Sequence, residues 1–223
     1  MMPRLRFPAD LAVGTLDWPG SEAQAPVLAR GDVLIPRGAE VSLDVEIITS
    51  VRRFDPGEDA PAWIELGGVT VTGAAGYSVE GSGQPVHLGF LRELPGDSIT
   101  DLHLSWPLIP ESLAAITHLS PGLRRLYLAQ TALGDDALTL VAQLRGLTYL
   151  QTWGNQFTDD GVQQLAALTD LDHLYLEEET LSPAAFGFAR HLPKLARLGL
   201  QDVPFTEAEM ADLRNQLPGV DVG

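Results

Sequence analysis

Grouped carboxylates are the first residues in this 223-residue sequence whose spacing could do chemistry. Two identical pairs, Asp135-Asp136 and Asp159-Asp160, lie 24 residues apart, and Glu177-Glu178-Glu179 forms a run. Such oxygen ligands suit calcium, and a run of acids also suits a basic partner. Acids are equally typical of helix starts and solvated loops. Because no calcium-loop spacing surrounds them, we predict helix starts for the aspartates, a solvated loop for the glutamates, and no metal site.

Histidines could act as general bases or metal ligands, and the chain has five: His87, His103, His118, His173 and His191. Their separations match no metal-ligand spacing. The sequence contains no Gly-rich phosphate loop, no HExxH and no GxSxG. It also has no cysteine, which removes cysteine nucleophiles and thiolate metal sites. We therefore predict a protein that is not an enzyme and uses no cofactor.

The composition is acidic, with 30 Asp and Glu against 14 Lys and Arg and a net charge of −16. Binding a phosphate backbone relies on clustered Lys and Arg, and no basic stripe exists, so nucleic acid and anionic membrane are disfavoured as partners. A basic protein is easier to accommodate. The lack of a long apolar run, of a signal segment and of cysteine predicts a cytoplasmic protein. Lys194 is the one lysine among the 14 bases, a bias typical of a bacterial source.

The elements that must position these residues follow from a 24-residue repeat. The segments ITDLHL, LRRLYL, LTYLQT, LDHLYL and LARLGL begin at Ile99, Leu123, Leu147, Leu171 and Leu195. A turn and then an apolar stripe at three-residue steps follow each segment, as in Leu138, Val141 and Leu144. Each unit therefore reads as strand, turn and helix. Hydroxyl residues stand where three of the helices should begin: Thr158, Ser182 and Thr206.

This pattern resembles the leucine-rich repeat family, with its LxxLxLxxNxL consensus, over residues 99–223. The resemblance implies an α/β solenoid with parallel strands on a concave face and helices on a convex face, and a role as an interaction scaffold. A helix near 90–95 and a final strand at Val220 and Val222 should cap the stack. The family's asparagine position reads Pro107, Thr131, Asn155, Glu179 and Val203. The usual asparagine ladder is therefore interrupted, and strain or water must substitute for it.

Residues between the inward leucines should face the concave side, because side chains alternate along a strand. Aromatic residues on such a face are typical interface hot spots. We predict a partner-binding surface, the concave patch, made of Arg125, Tyr127, Tyr149, Gln151, Trp153, His173, Tyr175, Glu177 and Arg197. The alternative interpretation is that tyrosines favour β-strands and simply pack against each other across strands.

Residues 1–85 lack the repeat and read as an antiparallel β-rich domain or cap, followed by a repeat domain over 86–223 with about five repeats and a closing strand. Alternation over residues 41–47 predicts a half-buried strand. Gly67-Gly68, between two apolar pairs, predicts a two-residue hairpin. Gly and Ser favour a boundary near residues 73–85. Whether this half folds independently or only caps the stack is left open.

The function predicted from these features is a non-catalytic module that binds another protein through the concave patch. One alternative is a carbohydrate or small-ligand binding protein, because an aromatic platform also stacks on sugars. The other is a structural subunit of a larger assembly, with the β-rich half making the contacts.

Overall fold

A computed structural model of the chain describes residues 4–10, 12–21, 27–53, 65–66, 69–70, 77–81, 85–105, 108–177, 181–201 and 203–223. Among these residues, eight strands precede the repeats: β1 Arg4–Arg6, β2 Ala12–Asp17, β3 Val27–Leu28, β4 Asp32–Leu34, β5 Ser42–Arg53, β6 Glu65–Leu66, β7 Val69–Thr70 and β8 Tyr77–Gly81. Six strands belong to the repeats: β9 Asp101–Ser105, β10 Arg125–Ala129, β11 Tyr149–Trp153, β12 His173–Glu177, β13 Arg197–Gly199 and β14 Asp221–Val222.

Each repeat returns from one strand to the next through a short helical segment. The α-helices are α1 Asp135–Val141, α2 Asp159–Val162 and α3 Glu207–Gln216, and the 3₁₀ helices are Leu88–Glu93, Pro110–Leu119, Gln163–Ala167 and Pro183–His191. Thr158 and Thr206 cap their helices as predicted, Thr206 in a capping box with Glu209. Ser182 holds the N-cap position without capping through its side chain.

The repeat strands pair in parallel and in sequence order, β9 through β14. Their register advances by one repeat per strand, so that Leu126 lies opposite Leu102 on one side and Leu150 on the other. These leucines are fully buried, as are the helix residues Leu138 and Val162. The predicted leucine-rich solenoid is therefore confirmed. Because a helix is wider than the spacing between strands, the strand side is the inner, concave side of the curve.

The N-terminal half joins this sheet directly. Strand β5 pairs in parallel with β9 and antiparallel with β2 and β8, which extends the sheet to ten strands among the described residues. The Val41 carbonyl accepts the N–H groups of Thr100 and Asp101, just as the Thr100 carbonyl accepts those of Arg124 and Arg125. Strand β5 therefore occupies the place of one further repeat strand, and residues 42–47 of the predicted strand over 41–47 are part of it.

Other N-terminal predictions are met in part. Strands β6 and β7 pair antiparallel with Leu66 opposite Val69, the register of the predicted hairpin, whereas Gly67-Gly68 lies outside the described residues. Within the predicted boundary 73–85, residues Tyr77–Gly81 form strand β8. The division into residues 1–85 and 86–223 stays a prediction, and the buried core runs through described residues on both sides of it.

Both ends of the repeat stack are covered. Before the first repeat strand, the 3₁₀ helix at Leu88–Glu93 buries Leu88 and Leu91. After the last repeat, β14 pairs with β13, and the guanidinium of Arg214 in α3 donates to the Val222 carbonyl at 3.0 Å. Both predicted caps are therefore confirmed. Within the described part of the chain, no helix has the length and apolarity needed to cross a membrane.

Strain appears where the family's asparagine is missing. Thr131 holds that position in the second repeat, and its neighbours Gln130 and Ala132 have φ values of 48° and 51°. This left-handed region is unfavourable for residues other than glycine. The predicted interruption of the asparagine ladder is thus accompanied by local backbone strain.

Candidate binding face of the sheet

All nine residues of the predicted concave patch lie on one face of the sheet. The strand register sets them in three rows: Arg125, Tyr149, His173 and Arg197; Tyr127, Gln151 and Tyr175; Trp153 and Glu177. The inward leucines alternate with them and point to the helices. The patch is therefore contiguous, as the 24-residue spacing requires.

The aromatic rings of the face stack across neighbouring strands. The centroids of His103 and Tyr127 lie 4.0 Å apart with nearly parallel rings. Tyr127 lies 5.0 Å from Tyr149, and Tyr149 lies 5.4 Å from Tyr175. These four rings, the ring ladder, cross four strands from β9 to β12. The cross-strand packing put forward as an alternative is therefore present, and it holds the rings in fixed positions.

A glycine makes room for the last ring of the ladder. A Cβ atom on Gly199 would lie 2.1 Å from Cδ1 of Tyr175, so any side chain there would displace the phenol. The Arg197 guanidinium carbon lies 5.9 Å from the centroid of the same ring, within cation–π range. Gly199 and Arg197, both on β13, thus fix the position of Tyr175 at the end of the ladder.

Polar contacts tie the ladder to its neighbours. The Tyr149 hydroxyl donates to Oε1 of Gln151 at 2.8 Å, and the Gln151 amide lies 3.3 Å from both Glu177 oxygens. Burial raises the pKa of Tyr149, and the nearby phenols and Glu177 raise it further. Burial likewise raises the pKa of Tyr127. Both phenols therefore stay protonated and neutral at physiological pH, and the fixed charge here is that of Glu177.

The basic residues of the patch are each held by an acid of the same chain. Arg125 pairs through two nitrogens with Asp101, one contact being Nη2 to Oδ2 at 2.8 Å, and this hydrogen bonding raises the pKa of Arg125. Arg197 lies 2.6 Å from Asp221, and Nδ1 of His173 lies 2.7 Å from Asp172. These basic groups are therefore balanced internally and add little net positive charge to the face.

Sequence reasoning missed the part of the face that the N-terminal half supplies. Asp44 of β5 lies opposite His103, and their side chains approach to 3.3 Å. Glu40 and Asp17 line a cavity of about 360 Å³ beside Arg125 and Asp101. The available signal was the alternation of Leu43 and Val45 around Asp44, which matches the inward leucines of a repeat strand. The face is thus wider and more acidic than the nine residues alone.

The aspartate pairs have a structural role on the other side of the sheet. Oδ1 and Oδ2 of Asp135 accept the N–H and hydroxyl of Thr158 at 2.9 and 2.6 Å. Asp159 accepts the same two groups of Ser182 at 2.8 and 2.5 Å. Each aspartate therefore ties its helix start to the next one, which agrees with the predicted helix starts. Among the described residues no group of three or more His, Asp or Glu could hold a metal ion, and Glu178-Glu179 lies outside them.

Two of the remaining histidines hold backbone. A ring nitrogen of His118 lies 2.8 Å from the Leu94 carbonyl, which joins two successive helical segments. His87 caps the first 3₁₀ helix by accepting the Gly89 N–H at 3.0 Å. These contacts give both residues structural roles away from the ring ladder.

Comparison with known proteins gives structural neighbours alone. No family model and no curated protein matches the sequence. An internalin C2 from Listeria monocytogenes is 25% identical over 60% of this chain and 54% of its own, with a TM-score of 0.45. A leucine-rich repeat protein from Leptospira interrogans is 22% identical over 61% of this chain and 32% of its own, with a TM-score of 0.41. An internalin F from L. monocytogenes is 16% identical over 64% and 52%, with a TM-score of 0.39.

This chain spans about half the length of the two internalins and about a third of the Leptospira protein. At these similarities the fold assignment rests on the molecule itself. The one-repeat register, the parallel strand order and the buried leucine rows are all present. On that architecture, the chain has the fold of a leucine-rich repeat solenoid.

Proposed function

We propose that this protein is a non-catalytic interaction module that binds a partner protein through the concave patch. The observation that carries the proposal is the position of Trp153. Its side chain is 36% exposed, and Trp153 and Leu34 are the exposed large apolar side chains of the described residues. Trp153 lies on the same face as the ring ladder, next to Glu177. An exposed indole beside fixed rings is typical of an interface hot spot.

The ring ladder supports this role because it is already in place before any partner arrives. Tyr127, Tyr149 and Tyr175 are half-buried and pack on each other, so few rotamers remain to be lost on binding. Fixing a free, rotamer-rich side chain at an interface costs about 0.5–1.5 kcal/mol. A surface that avoids this cost binds more tightly at equal buried area.

The charge of the face favours a basic partner. Asp44, Glu40 and Glu177 lie on it; of its two arginines, Arg125 is shared between Asp101 and Glu40, and Arg197 is paired with Asp221. Complementary charge speeds association and selects among partners. That nucleic acid and membrane are not partners, that the protein is cytoplasmic and that its source is bacterial all stay predictions.

The experiment compares two single variants that each remove one exposed apolar side chain. The wild-type chain, Trp153→Ala and Leu34→Ala are immobilised, and proteins captured from host lysate are identified by mass spectrometry. Leu34 is 55% exposed in β4, which pairs with β1 in a separate two-stranded sheet, so it is a matched control. We expect Trp153→Ala to lose the specific partner and Leu34→Ala to retain it.

The opposite result favours a different function. Loss of capture in Leu34→Ala together with retention in Trp153→Ala would assign the contacts to the N-terminal half, as in a structural subunit. Retention in both variants, confirmed with Tyr149→Ala, would overturn the concave-face proposal. Circular dichroism of each variant separates lost binding from lost folding.

One observation keeps carbohydrate or small-ligand binding as a second candidate. A cavity of about 240 Å³ on the face is lined by the aromatic Tyr127 and Trp153 and by the hydrogen-bonding Gln151. Aromatic faces with adjacent amides are typical of sugar sites. Binding on a glycan array that Trp153→Ala removes, without any captured protein, would favour this candidate.

A further inference from the structure

The cavity beside Trp153 has a definite shape and chemistry. It holds about 240 Å³ and lies between Asp44 of β5 and Trp153 of β11, so it spans three strand spacings of the sheet. Its walls come from the N-terminal half on one side and from the central repeat on the other. No single repeat could form it.

Small side chains create the space. Trp153 pairs in register with Ala129, which pairs with Ser105. All three residues occupy the same row of the concave face and line the cavity. Side-chain size decreases along this row from an indole to a methyl and a hydroxymethyl group, so the small side chains leave a hollow beside the indole. His103 and Tyr127, the first two rings of the ladder, lie in the row beside it.

The wall of the hollow opposite Trp153 carries a negatively charged side chain. Asp44 is the carboxylate that lines it within the described residues, and its side chain is 59% exposed. Because Asp44 lies inside the concavity, it contacts water yet has protein on several sides. This loss of hydration raises the pKa of Asp44, His103 lowers it, and the nearby Asp17 raises it again. A group that could carry positive charge lies beside it: Nδ1 of His103 is 3.3 Å from Oδ1 of Asp44, and this ring is charged only when protonated.

We propose, resting on the proposed function, that this cavity receives an arginine side chain of the partner protein. The guanidinium would donate to the Asp44 carboxylate, and the aliphatic stem of the arginine would lie toward the indole of Trp153 on the opposite wall. A planar guanidinium suits this carboxylate because it forms two parallel hydrogen bonds to it, while the stem covers apolar surface. An ammonium is a compact, strongly hydrated charge and uses this pairing less well.

The surroundings fit a basic segment around that arginine. The neighbouring cavity of about 360 Å³ is lined by the acids Asp17, Glu40 and Asp101, against the basic residues Arg125 and His103 among those described. The whole chain carries a net charge of −16. A partner segment with one arginine at the Trp153 hollow and further positive charge toward Glu40 would match the sign of the surface along its length.

The test uses defined peptides and the full chain, and it needs no knowledge of the partner. The ¹⁵N-labelled protein is titrated with acetyl-Gly-Arg-Gly-amide and with the same peptide carrying citrulline, which has the shape of arginine without its charge. The indole N–H resonance of Trp153, assigned with a Trp153→Phe variant, reports on the hollow. We expect saturable shifts of this resonance with the arginine peptide and at least fivefold weaker binding with citrulline.

Two variants test whether Asp44 is the carboxylate that binds the arginine peptide. Asp44→Asn should weaken binding of the arginine peptide at least fivefold, whereas Asp212→Asn, an exposed acid in α3, should leave it unchanged. Equal binding of the arginine and citrulline peptides would overturn the inference, and so would an unchanged affinity in Asp44→Asn. Equal binding of a lysine peptide would overturn the choice of arginine.

The outcomes separate this inference from the proposed function. If Trp153→Ala loses the captured partner while the arginine peptide does not bind, the arginine inference fails alone. If the peptide binds as expected but Trp153→Ala and Tyr149→Ala still capture the partner, the concave-face proposal fails on its own test.

Discussion

Replacing Asn155 by alanine should destabilise the central repeat strongly. The Asn155 side chain connects two successive loops and makes four hydrogen bonds to described residues. Its Oδ1 accepts the Thr131 hydroxyl at 2.5 Å and the Leu133 N–H at 3.3 Å. Its Nδ2 donates to the Leu128 carbonyl at 3.1 Å and to the Trp153 carbonyl at 3.2 Å. This is the role that the family resemblance implies for the consensus asparagine.

The magnitude follows from which groups lose their partner. Leu133 and Leu128 are buried residues, so water cannot easily replace the amide at their backbone groups. A buried donor or acceptor that loses its hydrogen bond costs about 1–3 kcal/mol. Two such groups give a loss in the free energy of unfolding of about 3 kcal/mol, or a fall of about 6–12 °C in Tm for a chain of this size.

Urea denaturation followed by circular dichroism measures this effect. Gln156→Ala is the matched control, because Gln156 is exposed and its backbone N–H, which donates to the Leu133 carbonyl, is unchanged. Asn155→Asp is the second variant, since it keeps the acceptor but points a carboxylate oxygen at two carbonyls. We expect it to be at least as destabilising as alanine at neutral pH. A loss below about 0.5 kcal/mol in Asn155→Ala, the level of an ordinary surface change, would refute the reasoning.

Three further predictions concern stability. Ala132→Gly should raise the free energy of unfolding by about 0.5–1 kcal/mol, because a φ of 51° costs alanine more than glycine; urea denaturation tests this. Gly161→Ala should lower Tm, because its Cβ would lie 1.9 Å from Oδ1 of Asp135, whereas the unobstructed Gly187→Ala should leave Tm unchanged or higher. Because the pKa of Tyr149 is raised in the folded protein, the phenol loses its proton at lower pH in the unfolded chain. The free energy of unfolding should therefore fall above about pH 10, and it should fall less steeply in Tyr149→Phe. Unfolding measured from pH 9 to 11 tests this.

The repeat half could be predicted from sequence because one spacing determines several levels of structure. Leucines 24 residues apart set the register, and the register fixes which residues lie side by side on the exposed face. Tyr127, Gln151 and Tyr175 therefore fall in one row as expected. The same register places Thr152 between Leu128 and Leu176, where it is fully buried.

The N-terminal contribution could not be predicted because no period leads to it. Strand β5 is separated from β9 by a long connection, and it has antiparallel partners as well as a parallel one. Sequence alternation places Asp44 on one side of a strand but does not choose the neighbouring strand. The pairing of Arg125 with Asp101 is easier to predict from the sequence, because the two residues are 24 apart and share a row.

The structure of the central repeat bears on why Trp153 is exposed. Its carbonyl accepts the Gln130 N–H at 2.7 Å as well as the amide of Asn155, so two hydrogen bonds hold the backbone under the indole. Ala129 occupies the same row one repeat earlier, which shows that the fold accepts a small residue there. Part of the Trp153 residue, 36% exposed, faces solvent on this rigid base. A partner group that covers it would bury a large apolar area with little loss of conformational entropy.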